Sequence, residues 1–383
     1  MELYIHLPFC KSKCRYCDFA SYAGCEKHMT SYVEALLTEA ETAARELPTR
    51  EIETVFIGGG TPSLLPADLL ELLLSGIHHT FELPRGIEFT TEANPGTLTM
   101  PWLETAVKYG VNRLSMGMQA FQPELLKTLG RIHSFDQVKE SVNMARSTGI
   151  SNISLDLMFG LPGQSIEHWR ETLRAALSLQ PQHLSCYGLI PEENTPLKAD
   201  LDAGRLILPD EEDERIMYDE AIDLLSVNGY EQYEISNFAR PGFACHHNLG
   251  YWRQIPYLGL GASASSMLPT TSGKAVYLRQ TNPPGLQEYM QMVKSENWSR
   301  RETIAVTRDD AKFETMMLGL RTTQGISELA FDEMHGISLN ACYGAKLADL
   351  EKRGLVCSQS GFWRLTRRGM DVQNAILVEL MDE

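Results

Sequence analysis

Three thiols stand within eight residues near the start of the chain: Cys10, Cys14 and Cys17 in "HLPFCKSKCRYCDFASY", residues 6–22. Two residues further on, where a fourth close ligand would fall, the chain has Phe19. Thiolates at this spacing can wrap a small inorganic core, and an iron–sulfur cluster normally takes four cysteines. Three ligands to a four-iron cluster leave one iron open. An open coordination position marks a site that takes a further ligand, as catalytic metal sites do and structural ones do not. Zinc is the weaker reading, because C-x3-C-x2-C lacks the paired CxxC arms of a ribbon or finger and no histidine follows nearby.

A cysteine loop does chemistry only where a scaffold brings other groups to it. Strand patterns near Leu3–Pro8, Thr54–Ile57, Ile87–Glu92, Arg113–Gly117, Ile153–Met158 and His183–Ile190 alternate with helical ones such as Met29–Arg45, Pro66–His78 and Ile166–Leu179. That is six β-strand/α-helix units at roughly 30 residues each. Six are too few to close an eight-fold barrel, so the spacing predicts an α/β fold with an open, partial (β/α)6 barrel of parallel strands. In parallel α/β barrels the chemistry gathers at the C-terminal ends of the strands. Here the first strand leads into the cysteine loop and the second into "GGGTPS", Gly58 to Ser63. The third ends at Glu92 in "TEANPG", the fourth at Gln119 in "SMGMQ", and the fifth carries Asp156 in "SLDLMFGLPGQ". Each alone is an ordinary turn, cap or solvated carboxylate; five in register point to one mouth.

Composition bounds the rest. A chain of 383 residues holds two or three domains. No apolar run reaches the ~18 residues of a membrane span, and the cysteine loop comes too early to leave room for a signal peptide. A cytoplasmic protein is expected. In a reducing compartment, eight cysteines are not a disulfide framework; the isolated Cys25, Cys186, Cys342 and Cys357 are assigned to packing. A formal charge of −16 argues against a nucleic-acid partner.

"YIHLPFCKSKCRYC" resembles the cluster loop of the radical S-adenosylmethionine (SAM) superfamily. "GGGTPS", "EANP", "SMGMQAF", "LGRIHS" and "LDLMFGLPGQ" resemble the successive motifs of its coproporphyrinogen-dehydrogenase-like branch over the first two thirds of the chain. The resemblance implies a [4Fe-4S] cluster on Cys10, Cys14 and Cys17 whose open iron is chelated by SAM, a pair that carries radical chemistry side chains cannot supply. It implies SAM contacts at Tyr4, Tyr16, Gly59, Gly60, Thr61, Glu92, Gln119, Arg131 and Asp156. Glycine lets the backbone approach a ligand closely, Asp156 suits paired ribose hydroxyls, and Glu92 balances the cationic SAM.

Within that branch two families compete: the oxygen-independent coproporphyrinogen III dehydrogenases and the heme chaperones, which bind heme and deliver it to acceptor proteins. Members of the first usually carry a fourth cysteine where Phe19 stands and a long extension ahead of the loop, and both departures favour the chaperones. "CHHNLGYW", Cys245 to Trp252, matches the HNxxYW signature of the chaperones. Histidine is a common axial ligand of heme iron and aromatic rings suit a porphyrin face. His247 is the position the resemblance implies, with Cys245 and His246 as neighbouring alternatives. No C-x-x-C-H attachment site is present. The resemblance further implies heme-accepting partners, membrane respiratory enzymes among them, and transient association with the inner membrane face; a homodimer is left open.

Residues 1–230 are expected to form the radical-SAM core, 231–306 a connector and 307–383 a smaller C-terminal domain. Within the latter, helices near Asp309–Leu320, Ile326–Glu333 and Leu339–Arg353 precede the hairpin "GLVCSQSGFWRLT" and a final helix, a winged-helix-like α+β pattern. The acidic total and the short "TRRG" patch argue against DNA reading by it. "PYLGLGASASSM" is a small-residue segment that either approaches a ligand or packs closely.

Overall fold

The structure, a computed structural model, describes residues 1–270 and 273–381. Six strands, β1 (Glu2–Leu7), β2 (Thr54–Gly59), β3 (Glu88–Ala93), β4 (Arg113–Gln119), β5 (Asn152–Phe159) and β6 (His183–Gly188), pair side by side in chain order, all parallel. Their two-residue period sorts the side chains. Leu3, Ile5 and Leu7 of β1 and Val55 and Ile57 of β2 are buried in the main core, which also takes the apolar stripe Tyr32, Val33, Leu36 and Ala40 of helix Met29–Glu46. Tyr4, Phe56, Glu92 and Asp156, on the opposite face of the same strands, are only half-buried. A half-buried residue in the middle of a sheet lines an open space, here the barrel lumen.

The sheet is wider than the sequence predicts. A seventh parallel strand, β7 (Tyr257–Leu260), pairs with β1 on the side away from β2. It comes from the small-residue segment, and its glycines explain the close packing. A Cβ on Gly259 would lie 2.1 Å from the Ser265 carbonyl oxygen, and one on Gly261, at φ +103°, 2.6 Å from the His6 carbonyl oxygen. Antiparallel strands Ser265–Pro269, Ala275–Thr281 and Glu302–Thr307 continue beyond β7. Asn237–Ala239 and Glu231–Gln232 extend the β6 edge. Segment 231–306, expected as a connector, thus supplies strands to both flanks of the main sheet.

The C-terminal domain has its own core, built on Met316, Leu320, Phe331, Leu347, Leu350 and Ile376. Helices Arg308–Gly319, Glu328–His335 and Leu339–Lys352 pack with a three-stranded sheet in which Phe362–Leu365 lies between Ile326–Ser327 and Val356–Gln359. The final helix of the sequence reading is two short ones, Arg367–Asp371 and Gln373–Leu380. Arg367 bonds Asp219 at 2.5 Å and Arg215 pairs with Asp371, clamping the domain to helix Glu211–Val227 of the barrel. Among the described residues no helix is long and apolar enough to cross a membrane.

Candidate cluster and cofactor site

The cysteine loop leaves the end of β1 and is tied down on three sides. Tyr22 N–H donates to the Pro8 carbonyl at 2.7 Å, closing the loop on itself. Arg15 N–H donates to the Leu129 carbonyl at 2.9 Å, Leu197 N–H donates to the Arg15 carbonyl, and the Arg15 side chain pairs with Asp200. Within this frame Cys10, Cys14 and Cys17 are half-buried. Burial pushes the Cys10 and Cys14 thiols up, so a metal centre must displace their protons to bind. Among the described residues no set of three His, Cys, Asp or Glu side chains closes on a single metal ion.

The glycine turn after β2 is pressed against the start of this loop. Gly60 N–H donates to the Leu7 carbonyl at 2.8 Å and Thr61 N–H to the Phe9 carbonyl at 2.7 Å. A Cβ on Gly60 would lie 2.6 Å from the Phe9 carbonyl oxygen, and one on Gly59, at φ +107°, 2.4 Å from the His6 ring. Only glycine fits at either position. Gly59 N–H donates to Glu92 Oε2 at 3.0 Å.

From Thr61 a hydrogen-bonded chain crosses the mouth. Thr61 Oγ1 donates to Cys10 Sγ at 3.7 Å, Asn94 Nδ2 donates to Thr61 Oγ1 at 2.7 Å, and Arg131 Nη1 donates to Asn94 Oδ1 at 2.7 Å. Arg131 Nη2 donates to the Tyr16 hydroxyl at 2.7 Å. Arg131, a SAM contact by resemblance, therefore bridges the cysteine loop and the end of β3. Its Nε is buried without a partner. Gln119 is held at φ +62°, uncommon for a residue with a side chain, at an irregularity in the β4–β5 register. A Cβ on the neighbouring Gly117 would lie 2.6 Å from Gln119 Nε2 and 3.1 Å from Arg131 Nη2.

Two carboxyls face the lumen. Burial, then the Asp156 carboxylate, pushes Glu92 up to about 7, against the opposing pull of Gly59 N–H and Arg131. Asp156 is also raised by burial, while Ser185, Arg113, Ser115 and Arg131 pull it down; Ser115 Oγ donates to it at 3.2 Å. A cationic ligand beside this pair restores both to the charged form. Tyr4 sits below, its hydroxyl 2.9 Å from His6 Nδ1, while His6 Nε2 lies 2.8 Å from the Ala20 carbonyl. Burial holds His6 neutral, so its single ring N–H donates to Ala20 and its Nδ1 accepts from Tyr4. The sequence reading missed His6 and Asn94 as positioning residues. Their signal lay in motifs already in view, "YIHLP" and "EANP".

The other signature lies at the opposite end of the barrel. Helix His246–Trp252 covers the N-terminal ends of the strands. The backbone N–H groups of His246 and His247 donate to the two Glu88 carboxylate oxygens at 2.9 and 3.0 Å, and the Cys245 thiol donates to Glu88 Oε1 at 3.4 Å. His247 is 1% exposed. Its Nδ1 lies 2.7 Å from Thr54 Oγ1, its Nε2 3.0 Å from the Tyr251 hydroxyl, and its ring stacks on Phe56. Burial and the Arg113 charge lower it to about 3, so it is neutral. The structure does not bring His247 to the cysteine loop, and as seated it offers no free ring nitrogen to an iron. Cys245 is buried as well; of the three ligand candidates in this segment only His246 is exposed.

The sequence pattern of the Radical SAM superfamily matches residues 4–176, and that of the HemN C-terminal domain residues 306–372. Heme chaperone HemW of Bacillus subtilis is 37% identical over 99% of this chain and 99% of its own length. Heme chaperone HemW of Escherichia coli is 36% identical over 98% and 97%. The chain belongs to the HemW family of the radical SAM superfamily. Among solved structures, coproporphyrinogen III oxidase (HemN) from Escherichia coli, a radical SAM enzyme, superposes with a TM-score of 0.83 at 26% identity, covering 99% of this chain and 89% of that one. The partial barrel and the C-terminal domain are therefore those of this superfamily.

The superfamily implies a [4Fe-4S] cluster and SAM, and the residues present fit both. Three half-buried thiols border a glycine turn that any Cβ would fill, a buried guanidinium nitrogen lacks a partner, and two carboxyls raised by burial face the same space.

Proposed function

We propose that the chain binds heme and hands it to heme-accepting proteins, keeping a [4Fe-4S] cluster on Cys10, Cys14 and Cys17 with SAM beside it. The observation that carries this reading is the end-to-end likeness to proteins named as heme chaperones, both domains and the segment between them included. Phe19 supports it. Where the related enzymes carry a further cysteine, this chain has a phenyl ring 61% exposed.

In this reading SAM lies against Gly59, Gly60 and Thr61, with Tyr4 and Tyr16 flanking it and Gln119, Arg131 and Asp156 making polar contacts. Glu92 faces its sulfonium charge. Cys10, Cys14 and Cys17 would hold the cluster, which with SAM would supply radical chemistry that side chains cannot, and the protein's part is to hold that pair and exclude water. His247 ligates heme only if helix His246–Trp252 leaves its seat. The acceptors include membrane respiratory enzymes, met from the cytoplasmic side.

The likeness to the HemN structure favours one second reading, oxidative decarboxylation of coproporphyrinogen III. Anaerobic incubation of the cluster-reconstituted protein with SAM and either heme or coproporphyrinogen III and a reductant separates them. Stable heme binding without protoporphyrinogen IX formation is expected. Multiple turnovers of the porphyrinogen overturn the chaperone reading and leave the cofactor site standing.

A further inference from the structure

Between β6 and helix Glu211–Val227 the chain runs as a strap, residues 189–210, along one side of the barrel mouth. It is tied to the loops on either side. Leu197 N–H donates to the Arg15 carbonyl at 2.9 Å, Arg15 and Arg205 both pair with Asp200, and Gly163 N–H donates to the Ile207 carbonyl at 3.2 Å. Beneath it lies a third core, separate from those of the barrel and the C-terminal domain, in which Leu189, Leu197, Leu206 and Leu208 of the strap meet Leu129 and Leu161. The residues beside these leucines stay in water. Ile190 is 70% exposed, Ile207 79%, and Ile132, next to Arg131, 64%. Single exposed apolar residues are ordinary, but these stand in an unusual field. Segment 190–214 holds nine acidic residues against two basic ones, a net −7 out of the chain's −16. A Cβ on Gly188 would lie 3.0 Å from Glu214 Oε1, so the acidic start of the helix stands at the C-terminal end of β6. Both bases, Lys198 and Arg205, are paired with Asp202 and Asp200, while Glu211 and Glu212 are exposed and without an ion pair among the described residues.

We propose that this acidic, isoleucine-bearing rim is the docking surface for the heme mouth of a heme-free acceptor protein, an apolar opening ringed by lysines and arginines. The inference rests on the heme-transfer reading above and assigns transfer a face. Heme carries two carboxylates on one edge, so a pocket built to take it is apolar within and basic where that edge emerges. Complementary charge steers such a face onto the rim and fixes its orientation. Ile190 and Ile207 then supply the apolar centre that a short-lived interface needs. The same charge turns other occupants away. The cytoplasmic leaflet is anionic and attracts basic segments, not acidic ones. A second copy of this chain, itself at −16, is repelled as well.

The test measures association of the full-length, cluster-reconstituted, heme-free protein with a heme-free b-type cytochrome whose heme mouth is ringed by lysines. Wild type is expected to bind at a rate that falls steeply as salt rises. Glu211→Lys with Glu212→Lys should slow association by roughly tenfold at low salt and flatten the salt dependence. Ile190→Ser with Ile207→Ser should speed dissociation by roughly tenfold and leave the salt dependence in place. Hemin uptake, cluster absorption, SAM affinity and melting temperature should stay at wild-type values in both. Changing ring lysines of the cytochrome to glutamate should restore association with the charge-reversed variant, a rescue that loss of fold cannot produce. Association and dissociation rates that are the same in wild type and both variants at every salt concentration overturn the proposal. So does binding to anionic lipid vesicles, or self-association, that the isoleucine variant abolishes. Hemin uptake is scored separately: wild-type protein that takes up none fails the heme-binding reading itself, whereas protein that takes up hemin and docks the cytochrome regardless of the rim has only this surface wrong.

Discussion

The same strands end in two different surfaces. At their C-terminal ends the cysteine loop, the glycine turn and the Arg131–Asn94–Thr61–Cys10 chain frame an open space with Glu92 and Asp156 on its wall. At their N-terminal ends Glu2, Thr54 and Glu88 receive a helix that fills the opening. Both ends carry titratable side chains forced toward their neutral forms by burial: Glu92 at about 7 above, Glu2 at about 8 and His247 at about 3 below. The difference lies in what remains to be satisfied. Above, half-buried groups face space that a charged ligand can enter. Below, the histidine has spent both nitrogens on the protein. A residue type that suits a ligand therefore marks a site only where its bonding capacity is still open.

The largest expected effect is at the mouth. Changing Cys10, Cys14 or Cys17 to alanine removes one of only three protein ligands and should abolish the broad visible absorption of the reconstituted cluster, whereas Cys25→Ala should leave it intact. Iron analysis showing about four irons per chain in all three variants would break the distinction between the loop and the isolated thiols.

Next come the SAM contacts. Gly60→Leu drives a side chain into the Leu7 and Phe9 backbone, and calorimetry should find SAM binding lost. Asp156→Ala, which gives up a charged hydrogen-bond acceptor, should weaken it by about 1.5–3 kcal/mol, roughly ten- to hundred-fold. Unchanged affinity in both would remove SAM from this end of the barrel.

At the base, lost stability is expected with the cofactor site untouched. His247→Ala leaves Thr54 and Tyr251 without their partner and opens a gap beside Phe56, which should cost about 2–3 kcal/mol in denaturant unfolding while cluster absorption and SAM affinity hold. A variant as stable as wild type would mean that the helix is not held by its histidine.

The smallest effect is a pH dependence. Glu2 has a folded pKa raised by burial to about 8, so the native state holds its proton more tightly than the unfolded state does. Its contribution is full below about 4.5, declines as pH rises and is lost once pH passes 8. Glu2→Gln cannot ionise. Its melting temperature relative to wild type should climb between pH 5 and about 8; a constant difference across that range would show Glu2 to be ionised throughout.

Most of the mouth was legible because each of its residues lies in a local motif at a strand end, and a parallel sheet brings strand ends together whatever the loops do. β7 was not legible. Four residues with two glycines' worth of small side chains around them carry no period long enough to tell strand from loop, and its place beside β1 depends on close contacts with His6 and Ser265 that only the folded chain supplies. The seat of His247 was not legible for the opposite reason. Its neighbours in sequence, Asn248, Tyr251 and Trp252, fit a heme face, while the partners that use up its nitrogens and cover its ring, Thr54 and Phe56, come from nearly two hundred residues away. The width of the sheet was lost in the same manner, since strands of 231–306 are short and find their partners at both edges.

Transfer is the claim on which the reading stands, and it is measured by mixing heme-loaded protein with a heme-free acceptor hemoprotein in the presence of an excess heme scavenger. Direct hand-over predicts that the acceptor spectrum appears at a rate that rises with acceptor concentration and is unaffected by the scavenger. If the scavenger captures the heme and the acceptor stays empty, the protein merely releases heme, and the chaperone account is contradicted.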